Sequence, residues 1–130
     1  MSKIKSGLIQ MSLKGSAEMS PEEIRDRMLE AHLPLIDQAG SAGVQILCFQ
    51  EVFTQPYFCP SQDNRWYGAA EPIPDGHTTR LMQEYASKHN MVIIVPIYEE
   101  EMTGVYYNAA AVIDADGTYL GKYRKTHLPH

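Results

Sequence analysis

A chain of 130 residues, 44% hydrophobic and 21% charged, is of single-domain size and apolar enough to bury a core. Its net charge of −5 argues against a nucleic-acid or anionic-membrane surface, since both need a basic stripe, and Lys122-Tyr123-Arg124-Lys125 is too short a run to supply one. The start lacks the apolar stretch of a signal peptide, no run reaches the length of a membrane span, and the two cysteines, Cys48 and Cys59, argue against a structural disulfide, so a cytoplasmic protein is the simplest expectation.

Residues 3–11 alternate loosely through Ile4, Leu8, Ile9 and Met11 and predict a first strand, followed by a loop over 12–19. A helix opens at Ser20. This residue is a natural N-cap, Pro21 suits the first helical position, and Glu23 completes a capping box. Ile24, Met28, Leu35 and Ala39 fall at helical spacing, with Leu29, Leu33 and Ile36 beside them. Pro34 is expected to kink or split this helix, and Gly40 to close it.

Residues 44–50 form a nearly continuous apolar run that ends at Glu51, as for a strand covered on both faces. Alternation groups Leu47, Phe49 and Glu51 on one side, and Ile46, Cys48 and Gln50 on the other. Residues 52–76 read as a long loop, rich in Pro, Gly, Tyr and Trp. A loop of that length in a compact domain is usually functional. Trp66 and Tyr67 are expected to cover the sheet edge, and Tyr57 is left either to cover it or to line a pocket.

Residues 77–90 predict a second helix, with Leu81, Met82, Tyr85 and Ala86 on one face and Asn90 at the C-cap. A Val/Ile-rich strand follows over 91–97. Glu99, Glu100 and Glu101 read as a solvated turn. Residues 105–113 and 118–123 are strands joined through Asp114-Ala115-Asp116-Gly117, with Asp-Gly the strong turn element. The order β-α-β, loop, α-β and hairpin gives an α/β fold with a mixed, layered sheet of about five strands and two helices.

Few residues carry a chemical signal. There is no glycine-rich phosphate loop. His127-x-x-His130 has no Cys or carboxylate at ligand spacing, and a proline intervenes, so no metal is expected. Cys48 reads as a small core residue. Cys59 has no helix start or basic neighbour in sequence to activate it. Glu51 and Lys125 each stand just past a strand end and could hold each other charged. Spacing alone favours an ordinary ion pair or two unrelated surface charges.

Phe49-Gln50-Glu51-Val52-Phe53 followed by Pro56-Tyr57-Phe58-Cys59 resembles the first motif of the carbon–nitrogen hydrolases of the nitrilase superfamily. Gly121-Lys122-Tyr123-Arg124-Lys125-Thr126-His127-Leu128-Pro129 resembles their second. Residues 106–113 with Asp116-Gly117 are similar in order and spacing. Within the superfamily, the nearest branch is that of β-ureidopropionase and N-carbamoylputrescine amidohydrolase.

The resemblance implies an α-β-β-α sandwich, a Glu-Lys-Cys mechanism, no cofactor, a small-molecule N-carbamoyl or amide substrate, and a homo-oligomer. By motif, Glu51 matches the general base and Lys125 the cation that supports the tetrahedral intermediate. Tyr57 and His127, beside them, are candidate substrate contacts. The family's nucleophilic Cys and a second Glu lie beyond the Lys motif, and neither Cys48 nor Cys59 stands at the matching position. Residues 1–130 are therefore expected to be the N-terminal part of such a domain and inactive alone. The alternatives are a non-catalytic remnant or assembly piece, and a small ligand-binding module using the loop at 57–67.

Overall fold

The computed structural model describes residues 1–129. Among these residues, five strands and two α-helices follow the order β1 (Ser6–Ile9), α1 (Pro21–Ser41), β2 (Ile46–Phe49), α2 (His77–His89), β3 (Val92–Met102), β4 (Val105–Ile113) and β5 (Tyr119–Arg124). The strands make one sheet in sequence order. β1, β2 and β3 are parallel, and β3, β4 and β5 antiparallel. Right-handed crossovers between parallel strands taken in succession put both helices on one face of the sheet.

The core lies between that face and the helices. Leu47, Phe49, Ile93, Val95, Ile97, Ala109, Ala111 and Ile113 are buried there, each one residue from a neighbour that faces the other way. α1 contributes Ile24, Met28, Leu29, His32 and Ile36. The buried stripe thus runs 24-28-32-36 and passes through a histidine, while Leu35 turns outward at 39% exposure. The capping box at Ser20 and Glu23 is formed in both directions.

Pro34 does not split α1, which runs unbroken from Pro21 to Ser41. It sits on the solvent side, where its ring displaces no core neighbour. Gly40 is helical rather than terminal. A Cβ there would lie 2.2 Å from His89 Nδ1, so it is the point of close approach to α2. Asn90 caps α2 in the left-handed conformation.

The opposite face of the sheet is open. Leu8, Cys48, Ile94 and Val112 form one row across four strands, with Leu8 84% exposed and the other three half-buried. The apolar run of β2 predicts cover on both sides, yet among the described residues only the helix side is covered. Glu99–Glu101 do not form a turn. They extend β3 to Met102, and Glu99 is completely buried. It faces Lys122 and Arg124, whose hydrogen bonds satisfy its carboxylate.

Candidate active site

β2 stops at Phe49, and residues 51–54 turn away from it. The turn is strained: Val52, β-branched and buried, has φ 44°, a left-handed conformation costing on the order of 1–3 kcal/mol. Phe53 holds the turn down by donating its N–H to Pro96 O at 3.2 Å and by packing fully buried beside Phe49. The alternation of residues 47, 49 and 51 expected from the sequence therefore breaks. Glu51 is carried to the open side of the sheet, where it meets Asn108, a residue that alternates with buried Ala109.

Lys125 directly follows β5 and donates its backbone N–H to Asn108 O at 2.8 Å. Its Nζ donates to Glu51 Oε1 at 2.7 Å. Asn108 Nδ2 donates to the same oxygen at 2.7 Å. Asn108 thus touches both motif residues, holding one by its side chain and the other by its backbone. It escaped the sequence reading, although a lone amide inside the apolar run of β4 was the available signal.

The Lys125 hydrogen bond holds the Glu51 carboxyl below the ordinary glutamate range, against partial desolvation and with help from Asn108. The Glu51 hydrogen bond in turn raises Lys125. Both side chains keep solvent contact, at 45% and 36% exposure, so the pair is weak as a stability device. It does present a carboxylate acceptor and a fixed ammonium side by side.

A cavity of about 250 Å³ adjoins the pair, lined by Tyr57, Phe58, Cys59, Trp66, Tyr98 and Asn108 among others. Phe58 stacks on Trp66 at 5.4 Å between ring centroids. Cys59 Sγ lies 3.6 Å from the Tyr98 hydroxyl, which burial pushes to a higher pKa. Tyr57 is exposed on the rim. Its hydroxyl is raised by partial desolvation, then by Cys59 and by the negative charge of Glu51. Cys59, without a basic neighbour in sequence, is placed by the fold in the cavity wall against the Tyr98 hydroxyl. Neither Trp66 nor Tyr67 simply covers the sheet edge: Trp66 is buried against Ile24 and Met28 of α1 and lines the cavity, and Tyr67, 55% exposed, stacks on Tyr106 at the cavity wall.

His127 is exposed and, among the described residues, is not part of the lining, which Leu128 and Pro129 join instead. His130 lies outside the described residues. No cluster of three metal-ligating side chains occurs among those described. Both cysteines are free, and among the described residues no helix is long and apolar enough to cross a membrane.

A carbon–nitrogen hydrolase family model matches residues 8–130. β-Ureidopropionase of Arabidopsis thaliana is 39% identical over 128 residues, covering 97% of this chain and 31% of the relative. N-Carbamoylputrescine amidase of the same plant is 41% identical over 95 residues, covering 73% of this chain and 31% of the relative. A solved carbon–nitrogen hydrolase from Helicobacter pylori G27 superposes with a TM-score of 0.83 at 27% identity, over 97% of this chain and 40% of the other. The chain thus spans about a third of the length of these two plant relatives. A family match over nearly the whole chain, together with a mixed sheet and flanking helices that superpose on a solved member, means that the chain belongs to the carbon–nitrogen hydrolase family.

Proposed function

We propose that Glu51 and Lys125 are the general base and the oxyanion-stabilising cation of a hydrolase acting on an N-carbamoyl amino acid or amine. The observation that carries this reading is the 2.7 Å contact between Lys125 Nζ and Glu51 Oε1. It joins the two motifs 74 residues apart on the open face of the sheet, next to a cavity. The names of the two plant relatives support the N-carbamoyl class.

The nucleophile in this reading is a cysteine outside residues 1–130. Its thiol gives its proton to Glu51 as the sulfur attacks the carbonyl carbon. The carbonyl electron pair moves onto oxygen, and Lys125 stabilises that developing charge in place. The proton on Glu51 then goes to the departing nitrogen as the C–N bond breaks. Glu51, again ionised, takes a proton from water as the water attacks the S-carbamoyl thioester, and gives it to the cysteine sulfur as the C–S bond breaks, so the thiol is restored and the carbamic acid released falls to carbon dioxide and ammonia. Lys125 keeps Glu51 ionised at neutral pH, so the acceptor is ready before substrate arrives. Asn108 fixes the oxygen that faces both donors.

The test is ammonia release from N-carbamoyl-β-alanine and N-carbamoylputrescine by the full protein that contains this chain. Turnover of at least one compound is expected, and Lys125→Ala should lower kcat by about 10²–10³, the scale for loss of one oxyanion donor. A folded Lys125→Ala variant with unchanged kcat would remove Lys125 from the reaction. Turnover abolished by Cys59→Ala would move the nucleophile to the cavity wall.

A further inference from the structure

The end of β5 is held from the side of the sheet that the chemistry does not use. Among the described residues β5 is an edge strand paired only with β4, and its register shifts near Gly121, where φ is 150°. The β4 ladder holds this end through the Ala109–Arg124 pair and the Lys125 N–H to Asn108 O, but an edge strand has no second neighbour to fix its tilt. Its last residue, Arg124, shares a face with buried Ala109 and donates from Nε to Glu99 Oε2 at 2.8 Å and from Nη2 to Glu99 Oε1 at 2.9 Å. Nη2 also lies 3.1 Å from Glu101 Oε1. The guanidinium carbon sits 3.9 Å from the Tyr107 ring centroid. Glu99 is completely buried and takes a further hydrogen bond from Lys122.

Alternation sends the next residue, Lys125, to the opposite face, where it reaches Glu51. We infer that Glu99 and Arg124 are positioning residues, whose two-point fork fixes the end of β5 on the helix side and thereby aims Lys125 at Glu51 on the open side. A planar guanidinium gripping both oxygens of a buried carboxylate sets direction as well as distance, which a single ammonium contact does not. Lys125 needs that help, because its flexible stem is 36% exposed and its side chain is tied at the tip by Glu51.

The activity arm of the test rests on the catalytic reading of Lys125, whereas the titration arm does not. In the full protein, ¹³C-detected titration of the Glu51 carboxyl is compared among wild type, Glu99→Gln, Arg124→Lys and Glu101→Gln. Arg124→Lys keeps the charge beside Glu99 but loses the fork, so it gives a reading even where Glu99→Gln fails to fold. Both should move the Glu51 midpoint up toward the ordinary glutamate value, as Lys125 drifts away. Glu101→Gln, at the exposed edge of the fork, should leave it unmoved. The first two should also lower kcat by roughly 10- to 100-fold, the scale for a displaced reacting group, with KM little changed. A shifted midpoint with unchanged kcat would keep the positioning role and remove Lys125 from the chemistry. An unshifted midpoint in folded Glu99→Gln and Arg124→Lys, or loss of fold in both, would overturn the proposal.

Discussion

His32 is the residue on α1 at which the core is polar. Its ring is fully buried and meets Phe49 and Phe53 edge-on. Nδ1 lies 2.7 Å from Met28 O, which can only accept, so Nδ1 carries the proton and Nε2 is left buried without a partner. Burial therefore lowers its pKa, and the folded chain binds a proton less readily than the unfolded chain. Stability from this group is complete above the ordinary histidine value of about 6.5 and declines as pH falls below it. Urea midpoints between pH 7.5 and 5 should fall more steeply for wild type than for His32→Leu; equal slopes would show that His32 does not titrate between the two states. The sequence reading passed over His32, because an imidazole inside an apolar stripe reads as a break in the pattern. Glu99 was misread for a related reason. Three successive glutamates look solvated, and the cations that satisfy the first of them stand 23 and 25 residues later, on a strand whose register only the folded sheet sets.

At the scale of elements, the features legible in the sequence were the local ones. The capping box, the Asp-Gly turn and the Asn90 cap each depend on a few consecutive residues, and each is present. Ser20→Ala should cost about 0.5–2 kcal/mol, read as a lower denaturation midpoint. An unchanged midpoint would mean that the start of α1 is held by its packing alone. Pro34→Ala should raise the midpoint, by at most about 3 kcal/mol, since the proline sits exposed in an unbroken helix with nothing to gain from its ring. The face of Glu51 was not legible, because strand parity applies only while the strand continues. β2 ends two residues earlier, and a strained turn resets the direction. No local signal links Glu51 to Lys125, 74 residues on, so their contact is legible only through the two motifs that carry them.

At the scale of the molecule, the sheet has a covered face and an open one, and the candidate site lies on the open one. Leu8 and Tyr123 are exposed there at 84% and 62%. Side chains of this kind forgo about 1.5–3 kcal/mol each when left unburied, large against a typical domain stability of about 5–15 kcal/mol. Residues 1–130 expressed alone should therefore elute from size exclusion above monomer size, shift toward monomer with Leu8→Glu, and release no ammonia from N-carbamoyl substrates. A stable, active monomer would contradict both the open face and the external nucleophile. The central claim is that the carboxylate held by Lys125 and Asn108 moves the protons of the reaction. Its most direct measurement is kcat for Glu51→Gln in the full protein, with native folding shown by circular dichroism. The amide keeps the shape and removes the proton acceptor, so kcat should drop by about 10²–10⁴; a folded variant that turns over at the wild-type rate would contradict the account.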